Sequence, residues 1–278
     1  MRNETFTTPG TVVLDLDNPA GEIDVEAVAG SSETTVELEA HGDAEQLVEA
    51  ARVEARATRD GGTEVIVHVP EERRFGIFRD SAEVRMSVRC PEGARLVVRS
   101  ASADVRARGR FSAADVETAS GDVEVDEVEG EVRAKAASGD LSFARVGQGR
   151  LDTASGDIEV RLLEGDGRIR TASGDVTIGG AESSLDVSTA SGDQQIDEVA
   201  SGRVTLKSAS GDVLVGVRRG VAVWVDASSM SGDTSSELDL GDEPTGADEG
   251  QGVEVRATTM SGDVRIVRAN ARAELPGG

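Results

Sequence analysis

The sequence predicts an all-β protein: a parallel β-solenoid of the β-helix kind, with coils of about 18 residues and an irregular, strand-rich N-terminal part. Three observations predict it. The tripeptide Ser-Gly-Asp occurs at 120–122, 138–140, 155–157, 173–175, 191–193, 210–212, 231–233 and 261–263, after a worn copy, Ser102-Ala103-Asp104. Apolar residues alternate with polar ones beside each copy, as in Val123-Glu124-Val125, Ile158-Glu159-Val160 and Val264-Arg265-Ile266, which is the period of a half-buried strand. Glycine supplies 33 of 278 residues, well above the usual share of about 7%, as a frequently turning chain requires.

Residues 1–98 form the strand-rich start. Strands are predicted at 11–17, 22–28, 34–40, 52–58, 63–69, 82–89 and 96–99, with a turn at Asn18-Pro19-Ala20-Gly21. A hairpin bend falls at Arg59-Asp60-Gly61-Gly62. The one helix candidate is 43–51, with Asp43 as its N-cap ahead of Leu47 and Val48. Loops are expected at 71–81 and at the acidic stretch 239–252, whose composition argues for disorder.

Residues 99–270 form the repeat solenoid and 271–278 a tail. Four positions before each motif Ser the residue is apolar: Val116, Ala134, Leu151, Ile169, Val187, Leu206 and Ala227. Three positions before it lie Glu117, Lys135, Asp152, Arg170, Ser188, Lys207 and Ser228, whose first four charges alternate as in-register neighbours should. Stacking is expected to follow sequence order. Met230 and Met260 replace the alanine that precedes each earlier motif and are expected to plug a widening core at the C-terminal end.

The composition excludes several functions. A net charge of −24 repels nucleic acid and anionic membrane surfaces, so no nucleic-acid partner and no membrane insertion are expected. Aromatic residues amount to 2%, with no Tyr and a single Trp, which leaves a sugar-binding groove poorly equipped. Cys90 has no partner thiol and reads as a small buried residue. No signal-like start and no apolar run of membrane-spanning length is present, giving a cytoplasmic expectation.

Recurrent Thr-Ala-Ser-Gly-Asp-Val coils after a strand-rich start resemble the bacterial β-strand-repeat proteins called toast-rack domains, or domain of unknown function 4097, a family of putative adhesins. The resemblance spans essentially the whole chain. It implies a β-helix-like solenoid, a place near envelope or stress-signalling components, and no catalytic residue.

The motif itself offers one candidate chemistry. Stacked in register, Asp122, Asp140, Asp157, Asp175, Asp193, Asp212, Asp233 and Asp263 form a column of carboxylates that repel one another by about 1 kcal/mol per neighbour in water. Corner hydrogen bonds from Ser and Asp to exposed backbone groups would offset this. So would cations, with Ca²⁺ the one candidate cofactor, although one Asp per coil is thin coordination. Neither His41 nor His68 belongs to a catalytic or metal-ligating cluster, and no catalytic residue is expected. Trp224 alternates out of phase with Val223 and Val225; it is either a contact site for a partner or another copy, or is covered by 239–252. The expected role is a non-catalytic scaffold or interaction module with a protein partner or self-association. A carbohydrate-active β-helix enzyme and a calcium-stabilised extracellular adhesin are the alternatives.

Overall fold

In the computed structural model, residues 1–71, 82–238 and 252–269 are described. The loops expected at 71–81 and 239–252, apart from Glu71 and Gly252, and the tail 271–278 lie outside them. Two compact units divide the chain, Met1–Gly156 and Asp157–Gly278. Each is built of β-strands paired in mostly parallel ladders, the solenoid-like arrangement expected.

The first unit holds β1 (Arg2–Thr7), β2 (Val12–Asn18), β3 (Gly21–Val28), β4 (Glu33–His41), helix α1 (Glu45–Ala50), β5 (Arg52–Ala57), β6 (Thr63–His68), β7 (Glu83–Pro91), β8 (Arg95–Ser100), β9 (Asp104–Phe111), β10 (Ala113–Thr118), β11 (Val123–Ser138) and β12 (Leu141–Ser155). Every strand expected there is present. β1 is additional, because Arg2-Asn3-Glu4-Thr5-Phe6-Thr7 lacks the apolar alternation that marks the others. Ala44 rather than Asp43 occupies the N-cap of α1, with no side-chain cap. The predicted hairpin forms as β5 pairs antiparallel with β6. β1–β4 and β4–β7 are also antiparallel, whereas β6–β2–β8–β10 and β7–β3–β9 run parallel. Both parallel ladders meet on β11, which pairs with β9 through one half and with β10 through the other, and whose opposite side pairs in parallel with β12. Alternate side chains fill the core between them, with Leu14, Leu16, Ile23, Met86, Leu96, Phe111 and Phe143 fully buried.

The expected charge register holds here: Glu117 lies beside Lys135, and Lys135 beside Asp152. Arg133 and Arg150 are like-charged neighbours, but each turns along its own strand, to Glu131 and to Asp152, both at 2.9 Å.

The second unit holds β13 (Ile158–Leu163), β14 (Gly167–Ser173), β15 (Val176–Ile178), β16 (Leu185–Ser191), β17 (Gln194–Val199), β18 (Gly202–Ser210), β19 (Val213–Val217), β20 (Ala222–Ser231), β21 (Thr234–Ser236), β22 (Gly252–Ser261) and β23 (Val264–Arg268). One parallel ladder runs β14–β16–β18–β22–β20 and the other β13–β15–β17–β19–β23–β21. The stacking order therefore departs from sequence order. The last repeat, β22–β23, lies between β18–β19 and the penultimate repeat, so Lys207 neighbours Thr258 and not Ser228.

The side chains give the reason. β23 offers Val264 and Ile266 to the core, both fully buried, where β21 offers Thr234 and Ser236. An interior rung made of β21 would bury hydroxyls without partners, at a cost of about 1–3 kcal/mol each. The polar rung goes outermost. Met230 and Met260 are 82% and 57% exposed, so the core-plugging expectation fails. The position before the motif Ser points outward in every repeat, because inward residues lie two and four places before it.

Candidate functional site

The Ser-Gly-Asp corners stack as the repeat implies, and the aspartates spend their carboxylates on the stack. In the first unit the Asp122 N–H donates to Asp104 Oδ1 at 3.1 Å, and the Asp140 N–H to Asp122 Oδ1 at 3.0 Å. In the second unit Asp157 Oδ1 accepts from Asp175, Asp175 from Asp193, Asp193 from Asp212, Asp212 from Asp263 and Asp263 from Asp233, each at 2.8–2.9 Å. A charge-assisted bond of this length contributes more than a neutral one, which offsets the repulsion between neighbouring carboxylates. The worn copy at Asp104 thus heads the first run.

Gly192 shows why the middle residue is glycine. Its φ is +143°, and a Cβ there would lie 2.1 Å from the Gly174 carbonyl oxygen of the neighbouring rung. Only glycine combines that conformation with so close an approach.

Sequence reasoning missed a second recurrent position, two places before most motif Ser residues, which holds a hydroxyl side chain except at Ala136. Thr118, Thr153, Thr171, Thr189, Ser208 and Thr259 are buried at the corner. Thr118 Oγ1 accepts the Gly121 N–H at 3.0 Å. Thr189 Oγ1 accepts from Gln194 Nε2 at 2.8 Å and lies 3.1 Å from Ser208 Oγ. The Oγ1 atoms of Thr153 and Thr171 have no partner. The recurring threonine of Thr-Ala-Ser-Gly-Asp was the available signal.

Among the described residues no group of three or more His, Cys, Asp or Glu side chains is placed to hold a metal ion. His68 lies on an exposed strand face, with Nδ1 3.5 Å from Asp17 Oδ2. His41 lines an open polar depression with Glu22, Glu83, Arg85, Ser102 and Asp104. There the Arg85–Glu22 bond at 2.7 Å holds the Glu22 carboxyl below its ordinary range. Cys90 is fully buried, and burial pushes its thiol up to about 12. A thiol in that state is unreactive.

Trp224 lies apart from the Asp column, on the outermost rung. It is 52% exposed, and the Arg256 guanidinium sits 5.5 Å from its ring centroid, within cation–π range. The ring borders a shallow depression lined by Ala222, Val223, Gly252, Val253 and Glu254. On β22 Val253, Val255 and Ala257 are buried, whereas the equivalent Val223, Val225 and Ala227 of β20 are only half-buried.

Parallel ladders, stacked turn glycines and a hydrogen-bonded Asp column define a β-strand-repeat protein. The chain belongs to the Toastrack DUF4097 family, whose model matches residues 20–168 and 165–267. It is similar in structure to a putative adhesin from Bacteroides fragilis, at 12% identity and a TM-score of 0.50, with 96% of each chain covered. A putative adhesin from Parabacteroides merdae matches at 11% identity and a TM-score of 0.35, covering 97% of this chain and 96% of that one. No curated protein matches the chain. Among the described residues no helix is long and apolar enough to cross a membrane.

Proposed function

We propose that the protein is a non-catalytic, adhesin-like interaction module, built of coils of about 18 residues, which presents the rung β20–β21 and Trp224 to a protein partner or to another copy. The observation that carries this reading is the contrast between two parts of the surface. The recurrent Asp carboxylates already serve as acceptors for backbone N–H groups, whereas Trp224 and the apolar row beside it are left half-exposed. An exposed aromatic with a flanking Arg is the composition of a binding hot spot. The same carboxylate bonds speak against calcium as a structural requirement.

Trp224 is the sole tryptophan, so its emission reports directly on that surface. Immobilised protein is expected to retain a partner from fractions of the source cell, with Trp224→Ala losing it and the free protein showing a blue-shifted emission when that partner is added. Retention that is equal for wild type and Trp224→Ala, or hydrolysis of a polysaccharide by the purified chain, would overturn the reading.

A further inference from the structure

Among the described residues, no strand pairs beyond the outermost rung of the second unit, which is a sheet edge. Among the described residues β20 pairs with β22 alone and β21 with β23 alone, so one side of each strand offers unpaired backbone groups. Such edges recruit other strands unless charges, prolines or bulges block them. β20 has none of these defences except one carboxylate, Asp226, in ten residues. The first unit treats its edges differently. β1 pairs only with β4 among the described residues and carries Arg2 and Glu4. β5 pairs only with β6 and carries Arg52, Glu54 and Arg56.

Resting on the proposed interaction role, we infer that β20 is the self-association surface, and that its occupant is β20 of a second copy, paired antiparallel about a two-fold axis. Residues alternate in face along a strand, so a register that keeps apolar against apolar must join odd positions to odd positions. Centred on Val225, that register sets Val225 beside its own equivalent and Val223 beside Ala227 of the second copy. It also sets Asp226 beside Trp224 of the second copy. Each carboxylate then meets a ring flanked by the Arg256 guanidinium, itself paired with Glu254 at 2.9 Å, and not the Asp226 of the other copy. The edge is complementary to itself in hydrogen bonding and in apolar row, and the register sets no like charges on β20 opposite one another, as an isologous two-fold contact requires. The opposing force is the net charge of −24 on each copy, which salt screens. Dimerisation should therefore strengthen as ionic strength rises, the reverse of capture of a basic partner.

The test is light scattering on the full chain across a range of concentration, at physiological and raised ionic strength. Concentrated wild type should reach twice 28.8 kDa, more readily in high salt, with Trp224 emission moving to shorter wavelength as the dimer forms. Val225→Lys, which places a charge on the apolar row, should remain monomeric. Asp226→Lys, an exposed change with little effect on folding, should weaken the dimer by about tenfold. Ala55→Lys on the edge strand β5 should behave as wild type. A wild type that stays monomeric throughout, or a dimer unmoved by both Val225→Lys and Asp226→Lys, overturns the inference. If wild type is monomeric and Trp224→Ala still abolishes capture of a partner, this inference falls and the interaction role stands.

Discussion

Replacing Gly192 by alanine tests whether the motif exists to bring two rungs together. Gly192 has φ +143°, a region that side chains other than glycine occupy at a cost of about 1–3 kcal/mol. Its new Cβ would stand 2.1 Å from the Gly174 oxygen and 2.7 Å from the Gly174 carbonyl carbon, more than about 1 Å inside ordinary contact. Parting the rungs by that amount stretches two bonds, Gly174 N–H to Ser191 O at 3.1 Å and Asp193 N–H to Asp175 Oδ1 at 2.8 Å. Each contributes about 1 kcal/mol, so the expected total loss is about 3–5 kcal/mol. The control is Gly220→Ala, at φ +78° with open space around the Cβ, where only the left-handed backbone penalty of about 1–2 kcal/mol applies. Urea denaturation of both variants beside wild type measures the difference. Gly192→Ala within about 0.5 kcal/mol of Gly220→Ala would refute the close-packing argument.

Asp193→Ala removes the acceptor of the Asp212 N–H and should lower stability by about 1 kcal/mol; Asp193→Asn keeps an oxygen there and should lose less, both read from urea midpoints. Thr189→Val strips a buried partner from Gln194 and should cost about 1–3 kcal/mol, whereas Thr153→Val, at a hydroxyl with no partner, should be neutral or stabilising in the same assay. Glu22 is held below its ordinary range, first by its hydrogen bond to Arg85. Its contribution is therefore full above the unfolded-state pKa and is lost as pH falls through the folded one, so Glu22→Gln should flatten the acid side of a stability–pH curve. Asp17, raised chiefly by burial, contributes in the opposite direction. Cys90 should resist thiol reagents in the native protein and react once it is unfolded, as a spectrophotometric thiol titration would record.

Much of the fold was legible because its cause is local and repeated. The two-residue period of Val123-Glu124-Val125 and the glycine at each corner carry their own physical reasons, and the register Glu117–Lys135–Asp152 followed from them. What escaped was the rung order in the second unit, which depends on comparing repeats rather than recognising them. The clue was Thr234-Ser235-Ser236 after a motif that is usually followed by Val or Ile at alternate places, a segment too polar to lie inside the stack. Met230 and Met260 were misread because a bulkier side chain in place of alanine suggested a wider core, although strand parity already placed that position outside. The Asp column was located from the repeat, but which atoms its carboxylates would meet depends on backbone N–H groups one rung away, which no sequence pattern displays.

Both the structural role of the motif and the proposed contact at β20 depend on which rung is outermost, and a disulfide scan reads this directly. Adjacent parallel strands lie about 4.8 Å apart, within the Cα range of about 4.4–6.8 Å that a disulfide spans, while strands two rungs apart lie well beyond it. With Cys90 buried and silent, Lys207→Cys with Thr258→Cys should form an intramolecular bond on mild oxidation, and Lys207→Cys with Ser228→Cys should not. Cross-linking of 207 to 228 in place of 258 would restore the sequence order of the rungs and remove β20 from the edge.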